Sequence, residues 1–290
     1  MRRNFAFGRM ELPYAGSLDG ILAALRKSGL PNGIVSHARR GISSLPDVQA
    51  LCFSGRTHSG AALRFRGLKM SQIHIFGGGT FSFVRNHLAL AAPAFGETAR
   101  KLFTQASEKF PGHEVKIHLT KMADNDSSIV TNDDLFERLT QVLADPETRV
   151  IIFNAAVCDF YGHVVKDQAL TPSGKYEKRL VSRDVEPTDI RLFPHDKLVT
   201  VVKQSRPEVF LVTFKTTCGA SELEMASAAE AAKNNCGANA VWCNDTKTRR
   251  NMLYVEAEPF FGSRESCAEK LFSELNEFLQ SKAASKLHGL

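Results

Sequence analysis

"RVIIFNAAV", residues 149 to 157, is apolar at most positions and lacks the alternation of a strand with one wet face. A strand buried on both sides belongs in a parallel sheet covered by helices above and below. The flanking sequence agrees. "TNDDLFERLTQVLAD" (131 to 145) opens with Thr131, Asn132 and two acids, which cap free amides and suit the positive end of a helix dipole. Further upstream, "QIHIF" (72 to 76) predicts a first strand, "PAFGETARKLFTQASEKF" (93 to 110) a helix with Pro at its start, and "EVKIHLT" (114 to 120) a second strand. Downstream, "HDKLVTVVKQS" (195 to 205) predicts a helix, "VFLVTFK" (209 to 215) a strand, "SELEMASAAEAAKNN" (221 to 235) a helix and "ANAVWCN" (238 to 244) a strand. "MLYVEA" (252 to 257) adds a short antiparallel edge strand, and "SRESCAEKLFSELNEFLQSK" (263 to 282) a long closing helix. The expected fold class is α/β: a doubly wound, Rossmann-like, mostly parallel sheet with helices on both faces.

At 290 residues, with 43% hydrophobic and 23% charged residues, the chain is long enough and ordinary enough to bury a sizeable core. No run approaches the ~18 unbroken apolar residues of a membrane span, so no membrane association is expected. The net charge of +6 is unevenly placed: residues 1 to 69 hold eleven Lys or Arg against three acids, leaving 26 against 28 in the remainder. The body is near neutral, which argues against nucleic acid as a partner. Residues 1 to 69 are expected to be a basic, non-globular N-terminal extension ahead of a start at Met70, in preference to an organelle-targeting segment or a phosphate-touching arm. Residues 70 to 290 are expected to form one nucleotide-binding domain. Six cysteines make no C-x-x-C pair, and Cys236 and Cys243 lack nearby His partners, so reduced thiols, a cytoplasmic setting and no protein metal site are expected.

In open α/β sheets ligands collect outside the carboxyl ends of the strands, where strand order reverses. Several chemistry-bearing residues do follow strands: Gly77, Gly78, Gly79 and Thr80 after the first, Asn154 to Asp159 after the third, Phe214, Lys215 and Thr216 after the fourth, and Asn244 and Asp245 after the fifth. Glycines let backbone amides approach a phosphate, and the next helix offers its amino end. "GGGTFS" is not G-x-G-x-x-G, so the dinucleotide fingerprint is absent and a plain tight turn remains the competing explanation. After Asp159 comes a loop crowded with cations, among them Lys175, Lys178 and Arg179. It is either a solvated loop or a cover for an anion.

The ordered blocks "GGGT", "VTNDDLFERL", "NAAVCDF", the Lys-rich loop, "LFPHDKLV", "FLVTFKT", a helix with Lys233 and "VWCND" resemble the phosphopantothenate–cysteine ligase family, also called phosphopantothenoylcysteine synthetase, over about residues 72 to 255. The resemblance implies a ligation in two steps. CTP or ATP with Mg²⁺ activates the carboxylate of 4′-phosphopantothenate as an acyl-nucleotide, and the amine of cysteine displaces the nucleotide. It further implies that Gly78, Gly79 and Thr80 hold phosphate, that Ala155, Ala156 and Asp159 meet the base, and that Phe214 packs on the nucleotide with Lys233 and Asn244 nearby. Lys175 and Lys178 would act on the triphosphate as a cationic flap, and a homodimer is implied.

The chain departs from the family where Asn-x-Ser-Ser-Gly is expected. Val84 and Arg85 match a Val-Arg pair, but Ala89 falls at the Asn, and Ala91, Ala92 and Pro93 fall at Ser-Ser-Gly; a shifted alignment would use Asn86 and still lack the serines. A Glu-Thr pair is replaced by Thr217 and Cys218. Arg85, counted with the two lysines as catalytic, and His87 could serve a different acidic substrate, or "NHLALAAPAFG" is a structural linker with an exposed histidine. A non-catalytic nucleotide-binding homologue is the second reading. A short-chain dehydrogenase or epimerase using a nicotinamide cofactor is a third, disfavoured because G-x-x-x-G-x-G and Tyr-x-x-x-Lys are missing.

Overall fold

The computed structural model describes residues 70–164, 189–256 and 258–287, with side chains described up to residue 281. Strand β1 (Gln72–Gly79) lies inside the sheet, and the chain leaves it through a small hairpin, β2 (Phe81–Arg85) and β3 (Leu88–Ala91), before helix α1 (Glu97–Lys109). Then follow β4 (Glu114–Leu119), α2 (Asn132–Ala144), β5 (Thr148–Ala156) and a second hairpin of β6 (Phe160–Val164) and β7 (Ile190–Pro194). The rest is α3 (Thr200–Ser205), β8 (Phe210–Thr217), α4 (Glu222–Cys236), β9 (Ala240–Asp245), β10 (Asn251–Val255), β11 (Glu258–Gly262) and α5 (Arg264–Leu287).

Seven strands form one sheet in the order β11-β10-β9-β8-β5-β1-β4. The five strands from β4 to β9 run parallel, and β10 runs against them, pairing antiparallel with both β9 and β11. From β1 the chain moves outward to β4 and then returns to β1's other side as β5. Strand order therefore reverses between β1 and β5, which is where such sheets open a crevice.

Two cores flank the sheet. On one face Ile73, Ile75, Val150, Ile152, Val212 and Trp242 pack against Ala99 and Leu102 of α1 and Leu271 and Leu275 of α5. On the other, Phe76, Ile151, Phe153, Leu211 and Val241 pack against Leu135 and Leu139 of α2 and Met225 and Ala229 of α4. Because both faces are covered, the central strands are apolar throughout, as "RVIIFNAAV" predicts.

Four expectations need correction. Helix α1 starts at Glu97, not Pro93, because Gly96 takes a left-handed φ of 78° and turns the chain into the helix. Residues 195 to 199 are not helical, so α3 is one short piece. The antiparallel strand at 251–255 is interior, since β11 pairs outside it and supplies the edge. Neither small hairpin was expected. They pack on one another where a side chain at Gly162 would meet Ile190, Val84 and Leu90.

On the α2 face His74 of β1 stacks on His118 of β4, with ring centroids 5.2 Å apart. Their protons are ordered by their neighbours. Thr148 Oγ1 donates to the Val142 carbonyl at 2.7 Å, and Gln72 Oε1 can only accept, so His74 Nε2 carries the proton donated to Gln72 at 2.9 Å. His74 Nδ1 is then bare and accepts from His118 Nε2–H at 2.9 Å. Burial holds both rings neutral and their pKa values well below the ordinary 6.5, with the Lys116 charge acting in the same direction on each.

Two outcomes follow from this packing. A side chain at Gly77 would bring Cβ to 2.2 Å from Ala99 Cβ, so Gly77→Ala should cost roughly 1–3 kcal/mol in urea unfolding, restored in part by Ala99→Gly. The histidine pair binds protons more weakly folded than unfolded, so it contributes stability above pH 6.5 that is lost as pH falls through the lowered folded values. In His118→Phe, the fall of the unfolding midpoint below pH 6.5 should be shallower than in the parent chain; equal slopes would refute this.

Candidate functional site

The switch point is built from three glycines with distinct steric reasons. Gly77 admits α1, as its contact with Ala99 shows. Gly78 has φ 97°, and a side chain there would sit 2.2 Å from the buried Thr120 hydroxyl. Gly79 is crossed by the returning chain: a Cβ would fall 1.9 Å from the Ala92 carbonyl, and its N–H donates to the Ala94 carbonyl at 2.8 Å. The glycine run is thus explained by close packing, and β1 stays paired with β5 to its end, Gly78 with Ala155 and Gly79 with Ala156. Gly96, which opens α1, is near enough that a side chain there would lie 3.9 Å from the Gly78 nitrogen. It provides no side-chain cap, so the first turn of α1 presents its amides beside the glycines.

Thr80 has a different task from phosphate contact. It is fully buried; its hydroxyl donates to Asn132 Oδ1 at 2.6 Å and accepts from the Cys158 N–H at 2.9 Å. Asn132 Nδ2 completes the ring by donating to the Cys158 carbonyl at 2.9 Å. Thr80 N–H donates to Ala156 and its carbonyl accepts from Ala92. All its polar groups are engaged within the fold, where they tie β1, the start of α2 and the turn after β5 together.

Beyond that latch, Asp159 is exposed and pairs with Lys197 at 2.5 Å, while its carbonyl accepts from the His195 N–H at 2.8 Å. On the α1 face the register puts Asn154 level with Gly77, whose missing side chain would point at Ala99 in the first turn of α1. Phe214 extends this face on the next strand, stacked on Trp242 with centroids 5.5 Å apart, and Asn244 continues it on β9. The carboxamides of Asn154 and Asn244 make no hydrogen bond with another described residue. Asp245, by contrast, is buried and accepts from Thr217, Gly219, Ala220, Lys247 and Thr248, so it organises the turn after β9. These bonds, the Thr248 N–H foremost, hold its carboxyl far below the usual carboxylate range.

The structure thus brings Gly78, Gly79, Ala155, Ala156, Asp159 and Phe214 to one edge of the sheet, with Asn244 two strands from β5, on the order of 10 Å away at ordinary strand spacing. Lys233 does not join them. Its helix runs back from that edge, which puts Lys233 roughly 16 Å along the axis from the first turn, where its ammonium sits over the Tyr254 ring at 5.6 Å. Arg85 is buried in the first hairpin, donating to the Val84 carbonyl at 2.7 Å and close enough to His163 to lower its pKa beyond the effect of burial. His87 is exposed and lines a shallow groove of about 300 Å³ with Phe81, Phe83, Asn86, Leu88, Ala89 and Val130, a feature of the hairpin. Lys175, Lys178 and Arg179 lie outside the described residues. Sequence reasoning missed Lys197 and His195, which "PHDK" placed at a supposed helix start.

A mostly parallel sheet with this switch point and helices on both faces defines a doubly wound, Rossmann-like α/β protein. No family model matches the chain. Over 184 residues, 59% of the chain, it is 27% identical to the coenzyme A biosynthesis bifunctional protein CoaBC of Thermococcus kodakarensis, and it spans 43% of that relative's length. In fold it is similar to the DNA/pantothenate metabolism flavoprotein from Streptococcus pneumoniae, with TM-score 0.59 and 19% identity over 72% of this chain and 99% of that one. It is also similar to the C-terminal domain of a CoaBC protein, with TM-score 0.54 and 15% identity over 73% and 96% of the two chains. A Cab2 variant in complex with phosphopantothenate-cysteine gives TM-score 0.51 and 12% identity over 74% and 89%. The chain is thus similar in sequence to part of the first relative and in fold to the three solved structures.

The Thr80 latch can be tested. Thr80→Val leaves the Cys158 N–H buried without its acceptor and should cost roughly 1–3 kcal/mol of unfolding free energy, whereas Thr80→Ser should restore most of it. Equal stability of the valine variant would show the latch to be dispensable.

Proposed function

We propose that the chain is a nucleotide-dependent acid–amine ligase of the phosphopantothenate–cysteine ligase type. The observation that carries this reading is the convergence on one sheet edge of the β1 and β5 ends, the first turn of α1 without a side-chain cap, and the Asn154 carboxamide, which has no partner among the described residues, in a chain similar to CoaBC. In the first step a carboxylate oxygen attacks the α-phosphorus of CTP or ATP, and pyrophosphate leaves. In the second an amine attacks the acyl carbon, and the nucleotide monophosphate leaves. Charge accumulates on phosphate oxygens in the first step, where fixed amides and cations act most strongly.

In this reading the amides of Gly78 and the first turn of α1 meet phosphate, Ala155, Ala156 and Asp159 meet the base, and Phe214 borders the nucleotide. Lys175 and Lys178 neutralise the triphosphate, as the family resemblance implies. Mg²⁺ fits as a metal carried by the triphosphate, since no group of three or more His, Cys, Asp or Glu among the described residues could hold an ion. When bound, it would offset charge on the phosphates. The chain works in the cytoplasm, as a homodimer.

A second reading, a nucleotide-binding homologue without ligase activity, is favoured by one feature. From Leu88 to Gly96 no side chain can donate a hydrogen bond, in the segment that runs along Gly79. Losing one donor aimed at an oxyanion typically costs ~2.7–4 kcal/mol of transition-state stabilisation. Incubating the full chain with CTP or ATP, Mg²⁺, 4′-phosphopantothenate and cysteine should release pyrophosphate only when acid is present and form amide only when both substrates are. Tight nucleotide binding without turnover would select the second reading, and preferential binding of NAD(P) would sink both.

A further inference from the structure

Two segments meet at the turn after β5 and present a charged pair to solvent from fixed backbones. Cys158 is held on both its backbone polar groups, the N–H by Thr80 and the carbonyl by Asn132. The next residue, Asp159, accepts the His195 N–H on its carbonyl at 2.8 Å. Two residues beyond His195, the Lys197 carbonyl accepts from Thr200, from its N–H at 3.2 Å and from its hydroxyl at 2.7 Å. Leu198 and Val199, in between, pack against the core on the α2 face. The Asp159 carboxylate and the Lys197 ammonium therefore meet at 2.5 Å between two stretches of chain that are already anchored.

The pair is open to a ligand: the Lys197 side chain is 67% exposed and that of Asp159 58%. An ion pair this exposed adds only about 0.2–1 kcal/mol to stability. What it offers is a pattern. The carboxylate only accepts hydrogen bonds and the ammonium only donates them, side by side, at the turn where the nucleotide reading puts the base. Their separation is close to that of neighbouring polar groups along the Watson–Crick edge of a base, the edge by which an unpaired base is read. There cytosine and adenine present an exocyclic amine, which donates, beside a ring nitrogen, which accepts. Uracil and guanine present the reverse, a carbonyl beside a ring N–H.

We propose that Lys197, paired with Asp159, selects the nucleobase of the activating nucleotide, accepting amino bases and rejecting keto bases. This rests on the ligase reading above, in which Asp159 meets the base. With cytosine or adenine the exocyclic amine donates to Asp159 and the adjacent ring nitrogen accepts from Lys197. Each bond is made to a charged group and is correspondingly strong. With uracil or guanine the carbonyl oxygen faces the carboxylate and the ring N–H faces the ammonium. Both contacts repel, and both charges lose hydration without gaining a partner. A base held through its ribose and phosphates cannot slide one position along its edge to restore the match. Lys197 thus sets the sense of the pattern, because its donor stands on one side of the acceptor only.

The test reads nucleotide affinity. The full chain with Mg²⁺ is titrated with CTP, ATP, UTP and GTP, and pyrophosphate release with 4′-phosphopantothenate is recorded for each nucleotide. The parent should bind CTP and ATP about 10–10²-fold more tightly than UTP and GTP, the range expected of a hydrogen bond to a charged group. Lys197→Met should weaken CTP and ATP by about tenfold while UTP and GTP hold or tighten, so the preference shrinks. The exchange Asp159→Lys with Lys197→Asp keeps an ion pair in place but inverts its order, and should turn the preference toward UTP and GTP. Equal affinity of the parent for all four nucleotides, or an unchanged preference in Lys197→Met, overturns the role of Lys197, and pyrophosphate release then keeps the ligase reading standing. Selective binding without pyrophosphate release supports the base assignment and removes the ligase reading, whereas a parent that binds no nucleotide removes both. Should the methionine variant fail to fold, the exchanged pair decides: a retained preference for CTP and ATP refutes the assignment.

Discussion

Much of this sheet edge depends on how closely α1 lies on β1. The 2.2 Å that would separate a Gly77 Cβ from Ala99 means that any side chain at Gly77 would force the helix outward. The displacement would carry the first turn of α1 away from Gly78 and Asn154, and with it the alignment of its free amides. Gly96 enforces the same approach from the other side, since its left-handed φ of 78° lets the chain enter the helix against Leu119 and Ala123. The site geometry is thus a consequence of packing in the core.

The hairpins extend that constraint. Each leaves the sheet directly from a switch-point strand, β2 one residue after Gly79 and β6 after Asp159. They are fixed at their roots by the Thr80, Asn132 and Cys158 ring, and farther out by contacts around Gly162. In a closed cycle of buried hydrogen bonds each group satisfies another, so removing one strands a second. On the far side Asp245 holds the turn after β9 with backbone amides from two segments. The edge is thus held at β1, β5 and β9 by hydrogen bonds within the fold itself.

The parallel strands were legible because burial on both faces writes an unbroken apolar run, as in residues 149 to 157, and because Thr131 and Ser221 announce their helices with capping boxes. The hairpins were not: β3 is only four residues, "LALA", without polar alternation, and β6 finds its partner across 24 undescribed residues. Thr80 looked like a ligand contact because it follows three glycines. Its real partners lie 52 and 78 residues away, which no local pattern encodes. Lys233 was misplaced for a geometric reason. A helix that follows a parallel strand returns antiparallel to it, so only its amino end reaches the carboxyl edge.

The edge divides into two chemically different halves. On the β1 side, Leu88 to Gly96 supplies methyl, ring and phenyl groups, Phe95 is 69% exposed, and two of its amides are spent on the Thr80 carbonyl and Met122 sulfur. On the β5 side lie Asn154, Asp159, Lys197 and His195, all polar, with Asp159 and Lys197 paired to each other. Hydrogen bonds missing from the first half cannot be restored there without new side chains. Hydrogen-bond donors along the crevice are therefore offered by the first turn of α1 and by Asn154, while Phe95 and the alanines offer apolar surface. That asymmetry confines polar chemistry to the β5 side, where the charged turn already stands.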